Sequence, residues 1–368
     1  MFVGLLMFFG GLGLAERPAE VLEHVIVYKE EGRFAGWPAN HGMWAWGEEL
    51  VVGFEVGYFR ETDRGHAIDY GRPGEHVLAR SLNGGQTWAL EKPNGLKPPP
   101  GIKVAGVPAP PGGAEPADFD GEMDFTHPGF ALTARMASIH TGPSRFYYTL
   151  DKGKSWKGPY HLPDFGQPGI AARTDYLIDG PRELTVFLTA AKFNGREGRV
   201  ICVRTRDGGK NWERVSDVTP EPEGRGYAIM PSSVRLSATE ILTAVRRRGW
   251  IESYRSQDNA SSWSYEQEVS RTGRGNPPAL IRLRDGRLVL SYGYRAEPYG
   301  IRARISSDQG RTWEKEIILR EDGGNWDLGY PRTVERPDGK LVTVYYFNDH
   351  ADRERYIAAT IWDPGVSP

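Results

Sequence analysis

The chain is almost without cysteine. Its 368 residues contain one, Cys202, which excludes an internal disulfide framework. Flanked by Val200, Ile201 and Val203, it reads as a small buried core residue. An excess of either charge is also lacking: 46 Lys and Arg stand against 48 Asp and Glu, for a net charge of -2. No global basic field therefore argues for a nucleic-acid partner. No zinc-finger, RNA-binding or P-loop phrase occurs, no spacing of His with Asp requires a metal, and nothing calls for a cofactor. Long hydrophobic runs are scarce as well. Met1 to Ala15 is apolar and free of charged side chains, but it is too short for a transmembrane helix. It reads as the hydrophobic region of a signal peptide, with the small residues Gly13 and Ala15 before a cleavage point and no basic segment ahead of it. The expectation is a secreted or periplasmic protein with no membrane span in the mature chain; the other reading is a buried N-terminal segment.

What the chain does have is glycine, tryptophan and repetition. Its 46 Gly and 11 Trp suit a β-rich protein with many turns. One phrase, S/T-x-D/N-x-G/A-x-S/T/N-W, occurs five times: Ser81 to Trp88, Thr149 to Trp156, Thr205 to Trp212, Ser256 to Trp263 and Ser306 to Trp313. The spacings between the closing tryptophans are 68, 56, 51 and 50 residues, a period that points to a propeller or another repeat architecture. The phrase has a physical reading. The carboxylate or amide bonds nearby backbone N–H groups, and the glycine takes positive φ, so the chain turns tightly. The tryptophan is an apolar plug between neighbouring sheets. These Asp residues hold turns and are not catalytic. The fourth copy, with Ala260 in place of glycine, is degenerate, as a structural motif allows.

Alternating runs between the repeats read as strands and group into four-stranded antiparallel meanders. The fold class expected is all-β, a six-bladed propeller forming one domain over residues 21–368. Val21 to Glu31 supplies the outer strand of the sixth blade and closes the ring. Residues 93–121, with Pro98 to Pro100 and Pro108 to Pro111, form a Pro/Gly-rich insert. The second blade is expected to begin with strands at Glu122 to Pro128 and Phe130 to Ala137. Hairpin turns at Asp179-Gly180, Asp285-Gly286 and Asp338-Gly339 share a rim with the five repeated turns. Chemistry is therefore sought on the opposite rim, where chains enter first strands and second strands turn into third.

Several residues on that rim are candidates. Arg247 and Arg295 end second strands, and a planar guanidinium fork suits a carboxylate. Asp327, Tyr330 and Arg332 enter the sixth blade together. His66 and Asp69 lie in the long loop of the first blade. Asp124 and His127 belong to the second blade, and Arg173 and Asp175 to the third. A loop Asp or a His suits general acid–base work, and a Tyr among cations suits nucleophilic attack. Each also has an ordinary structural reading, as a loop-holding carboxylate, a packing histidine or an inter-blade arginine.

The five Asp turns, the six-blade count and the closing N-terminal strand resemble the sialidase (neuraminidase) superfamily over nearly the whole chain from Val21. The resemblance implies that Tyr330, in Leu328-Gly-Tyr-Pro-Arg332, is a nucleophile of the kind that departs from the two-carboxylate glycosidase rule. It implies Asp69 as acid/base and Arg247 and Arg295 as carboxylate ligands. Two departures stand out. The family's R-I-P arginine is replaced by Gly36-Trp-Pro-Ala39, and the glutamate that activates the tyrosine is absent from Ile229-Met-Pro-Ser232. The function implied is exo-hydrolysis of a carboxylate-bearing terminal sugar of a glycan, with Arg332 as a third anion ligand. Two alternatives remain open: a related propeller glycosidase or uronate lyase using His66 or His127, and a non-catalytic glycan-binding propeller. No motif speaks to oligomeric state.

Overall fold

The computed structural model describes residues 17–366 apart from 63, 105 and 111; the segment from Met1 to Ala15 lies outside the described residues. The repeated phrase folds in the way its chemistry requires. In the third copy, Thr205 Oγ1 accepts the Gly209 N–H at 2.9 Å, and Asp207 accepts the backbone and side-chain N–H of Asn211 at 2.9 and 2.6 Å. In the first two copies the tryptophan Nε1 donates to the carbonyl of the turn glycine, Trp88 to Gly85 and Trp156 to Gly153. The degenerate fourth copy holds Ala260 at φ 71°, and there Trp263 donates instead to Ser216 Oγ of the preceding blade.

Each turn joins the last two strands of its meander. Blade four is the regular case: Ile229–Arg235, Ile241–Arg246, Trp250–Ser256 and Ser264–Arg271 pair in that order from axis to outside. Blade five repeats it with Ala279–Arg282, Leu288–Tyr294, Gly300–Ser306 and Ile317–Arg320. Blade six uses Gly329–Glu335, Leu341–Phe347 and Tyr356–Asp363, and the N-terminal strand Glu20–Tyr28 pairs antiparallel with the last of these, Val25 opposite Ala359. The ring is closed as expected, and the N-terminal strand becomes the outer edge of the last blade. Apolar side chains from facing sheets fill the space between blades, with Trp362, Tyr345 and Phe347 fully buried between five and six. Cys202 is buried between blades three and four, where desolvation pushes its thiol up to about 12, so it is inert packing.

Two first strands are broken. In blade one, Arg33–Gly36 and Met43–Trp46 both pair with Glu49–Tyr58 and are separated by one helical turn, Pro38–His41. The Trp37-Pro38 pair causes the break: Trp37 sits at φ 61° and Pro38 opens the turn. In blade three, Ile170–Ala171 and Tyr176–Ile178 pair separately with Leu184–Ala191.

Blade two corrects the sequence reading. It has three strands, Ala131–Met136, Ser144–Thr149 and Lys157–Leu162, and Glu122 to Pro128 forms none of them. That segment instead crosses the Asp-turn rim. The Met123 N–H reaches the Gly208 carbonyl and the Phe125 N–H that of Pro181, both in turns of blade three. The inner edge of the sheet is covered by the helical turn of blade one: the His41 carbonyl accepts hydrogen bonds from Thr133 Oγ1 and Thr174 Oγ1, both at 2.7 Å. Pro38–His41 thus substitutes for the missing innermost strand.

Candidate active site

The rim opposite the Asp turns opens into a cavity of about 540 Å³. Trp37, Asn40, Glu55, His66, His76, Arg135, Arg173, Glu197, Tyr227, Arg246 and Tyr330 line it, and Tyr70, Ile139 and the insert residues Lys103 and Gly106 stand at its wall. Tyr70 and Ile139 are each half exposed. The insert reaches the cavity as a hairpin, Lys103–Val104 with Val107–Pro108.

The strand geometry explains which side chains arrive. Trp37, Met230 and Tyr330, which enter blades one, four and six, all hold positive φ, at 61°, 53° and 51°. In blades four and six the pairing register also slips there, between Ile229 and Ser232 and between Gly329 and Arg332. A bulge at the head of an inner strand re-aims a side chain, and such strained backbone collects at functional sites. Asn276, fully buried, locks the turn: its Oδ1 accepts the Tyr330 N–H at 2.9 Å and its Nδ2 donates to the Leu328 carbonyl at 3.0 Å. Gly329 packs so closely on it that a Cβ would lie 2.4 Å from Asn276 Nδ2. The result presents the Tyr330 phenol to the cavity, where its oxygen accepts a hydrogen bond from Arg246 Nη1 at 2.8 Å. Burial alone would lower the Arg246 guanidinium; the charges of Tyr330, Tyr227 and Glu197 outweigh it and raise it.

Behind His66 lies a buried carboxylate. Asp327, with no exposed surface, receives His66 Nδ1 at 2.5 Å, Tyr346 Oη at 2.8 Å, Arg355 Nε at 2.9 Å and the Ala67 N–H at 3.1 Å. Burial opposes its charge, but His66, Arg355 and Arg295 outweigh that and hold it well below the usual carboxylate range. The imidazole is further fixed edge-on to Trp37, with centroids 5.1 Å apart. With Nδ1 committed to Asp327, Nε2 is the nitrogen available to the cavity.

Two glutamates complete the set, and neither was a candidate from the sequence. Glu197 opens the third strand of blade three and pairs with Arg173 Nη2 at 3.0 Å. Glu55 lies at the floor, 3.3 Å from His41 Nε2 and 3.9 Å from His76 Nε2. Burial pushes Glu55 up to about 7, while burial and Arg135 push both histidines well below their usual value. At pH 7 Glu55 is therefore about half ionised beside two neutral histidines. Burial also pulls Arg135 down to about 9, which leaves it cationic at pH 7. Four cations, Arg135, Arg173, Arg246 and Lys103, then face Glu197 and a half-neutral Glu55. Glu55 had a legible signal, a carboxylate in the middle of the apolar second strand Glu49–Tyr58.

The cavity brings together His66, Tyr330 and Arg173, with Asp327 directly behind them. The other sequence candidates lie elsewhere. Arg247 turns outward to Glu252 at 2.7 Å and stacks on Trp250, because alternation along the strand sends Arg246 inward. Arg295 is buried and spends its donors on the Leu328 and Gly275 carbonyls and Tyr346 Oη. Arg332 bonds the Ala39 and Thr174 carbonyls near the axis. Asp175 accepts the Ser233 N–H and Oγ–H, and burial pushes it up to about 7. Asp69 caps the Gly71 N–H at 3.0 Å and does not line the cavity. Asp124 and His127 hold a turn on the opposite rim, bonding Thr126 and the Gly129 N–H. Among the described residues no three His, Cys, Asp or Glu side chains converge to hold a metal ion, and no helix is long and apolar enough to cross a membrane.

This geometry can bind an anionic group, donate a proton from His66 or Glu55, and present a phenol or a carboxylate to an electrophilic carbon. Comparison with known proteins gives the setting. No curated protein matches the chain. Among solved structures, a Dyadobacter fermentans protein of unknown function is 22% identical, with a TM-score of 0.71 over 94% of this chain and 99% of that one. A Penicillium chrysogenum alpha-L-arabinanase complexed with arabinobiose is 15% identical, with a TM-score of 0.62 over 94% and 99%. The NanB sialidase of Streptococcus pneumoniae is 12% identical, with a TM-score of 0.56 over 94% of this chain and 70% of that one. At such identities the likeness speaks for the fold. The BNR repeat-like domain matches residues 134–343, more than half of the chain. With its five Asp turns on six blades, this chain belongs to the BNR repeat-like family and has the propeller fold of the sialidases.

Proposed function

We propose that this protein is a propeller glycosidase that removes a carboxylate-bearing sugar from the end of a glycan. The observation that carries the reading is the Arg246–Tyr330 contact in a cavity that also holds the His66–Asp327 pair. The Arg246 hydrogen bond at 2.8 Å fixes the phenol oxygen in the cavity. In the first step the Tyr330 oxygen forms a bond to the anomeric carbon as the bond to the leaving oxygen breaks. The phenolic proton passes to Glu197, and His66 in its protonated form supplies a proton to the leaving oxygen. Water, deprotonated by His66, then attacks the anomeric carbon as its bond to the Tyr330 oxygen breaks, and Glu197 returns its proton to that oxygen. Asp327 orients the imidazole and stabilises its charged form. Arg135 and Arg246 bind the substrate carboxylate: Arg135 is buried, Arg246 is partly buried, and both line the cavity. This reading moves the acid/base role from Asp69 to His66.

A second mechanism for the same activity class rests on the two glutamates. Burial raises Glu55, which suits it as the acid, and Glu197, held by Arg173 at 3.0 Å, is the carboxylate that acts as base or nucleophile. The test is turnover of aryl sialosides, uronides and arabinofuranosides by the wild type, Tyr330→Phe and Glu197→Gln. Turnover of an acidic aryl glycoside, reduced at least about a thousandfold in Tyr330→Phe, is the expected result. Full turnover in Tyr330→Phe with loss in Glu197→Gln selects the two-glutamate mechanism. Turnover confined to neutral arabinofuranosides removes the acidic-sugar assignment.

A further inference from the structure

Glu197 lines the first cavity. Arg199, two residues along the same strand and so about 7 Å away, lines a second cavity of about 510 Å³. It opens at the outer junction of blades three and four, between Asp217 and Glu221 on one side and Tyr254, Trp263 and Tyr265 on the other. One loop walls both cavities: its Thr219 to Glu221 end faces the second and its Tyr227 end the first. That loop is held in place. The Lys192 ammonium, nearly without exposed surface, donates to the carbonyls of Pro222, Gly224 and Gly226 at 3.1, 2.8 and 2.8 Å.

The lining favours sugar. Tyr265 is 57% exposed and stands edge-on to Tyr254, with centroids 5.8 Å apart. Beside the cavity the Phe193 ring is 83% exposed, with the Arg199 guanidinium 5.5 Å from its centroid. Aromatic faces with a few fixed polar groups suit a ligand that is apolar on one face and hydroxylated at its edges. Arg199 is matched by Asp217 at 3.4 Å and Glu221 at 3.9 Å. The lining is therefore slightly acidic, accepts hydroxyl hydrogen bonds and disfavours carboxylates.

We propose that the second cavity binds neutral, hydroxyl-rich units of an oligosaccharide whose terminal residue occupies the first. The inference rests on the glycan reading of the first cavity, and the test separates the two. The full chain is titrated with neutral oligosaccharides and, separately, with the same chains ending in an acidic sugar. The proteins compared are the wild type, Tyr265→Ala, Tyr265→Ala/Phe193→Ala and Arg246→Lys. Neutral oligosaccharides should bind about tenfold more weakly to Tyr265→Ala, more weakly still to the double variant, and undiminished to Arg246→Lys. Neutral binding lost in Arg246→Lys, indifferent to Tyr265→Ala, or absent from the wild type overturns the proposal. Failure of the acid-ended chains to bind more tightly than the neutral ones overturns the first-cavity reading and leaves the neutral-sugar arm to decide the second.

Discussion

Asp327→Asn separates the proposed architecture of the site from an accidental contact. The carboxylate is fully buried and serves four donors: His66, Ala67, Tyr346 and Arg355. Asparagine keeps the shape but offers one acceptor oxygen, turns an amide N–H towards one of those donors, and leaves Arg355 buried without its counter-charge. Breaking a buried pair from one side costs about 3 to 5 kcal/mol; we take about 3, because the amide retains part of the bonding. A chain of this length unfolds with an entropy of roughly 0.7 kcal/mol/K, so Tm should fall by about 4 °C at pH 7. The pH dependence has a definite sign. The folded pKa lies below the unfolded value of about 3.9, so the carboxylate's contribution is complete above that value and is lost as pH falls towards the folded pKa. The wild type should lose its advantage over the variant only below about pH 4. Turnover should fall about a hundredfold, because His66 loses its orientation and its support as imidazolium. Thermal melts across pH 3 to 8 and an assay on the best substrate make the check. A variant within about 1 °C of the wild type at pH 7, with unchanged turnover, refutes the reasoning.

Three further outcomes are expected. Glu55→Gln should gain stability relative to the wild type as pH rises from the unfolded value towards and through about 7, since the wild type must then ionise a buried carboxyl. The relative gain between pH 4 and pH 9 should be about 3 kcal/mol by denaturant titration, and a pH-independent difference contradicts the assignment. Lys192→Met leaves three loop carbonyls without their donor and should cost about 2 to 4 kcal/mol, with faster proteolysis and hydrogen exchange confined to residues 219–228. Asp207→Ala removes the bonds to Asn211 and Thr205 and should cost about 1 to 2 kcal/mol by thermal melt without changing turnover, as expected of a turn that only staples a blade.

The repeated phrase determined most of the fold by itself. A short carboxylate or amide followed by glycine and tryptophan is a local device, its bonds closing within eight residues, so five copies read directly as five blades and their shared rim. Closure by Glu20–Tyr28 was legible for the same kind of reason: the sixth meander lacks its fourth strand and an unpaired strand lies at the other end of the chain. Blade two was misread because Glu122 to Pro128 alternates like a strand while its backbone partners, Pro181 and Gly208, belong to another blade.

The site was legible only in part. The sequence pointed to the rim that holds the cavity, and Tyr330, His66 and Arg173 line it. Whether a side chain reaches the cavity depends on bulges and on residue parity along a strand. One step moves an arginine from Arg246, on the phenol, to Arg247, on Glu252. A carboxylate two strands from the axis, Glu55, becomes part of the floor because the first strand of blade one is broken at Trp37. Bonds that close locally can be read from a sequence, but convergence of six blades on one axis is a sum of long-range packing terms. Only the tertiary structure decides which of many rim charges share a cavity and which are neutralised outside it.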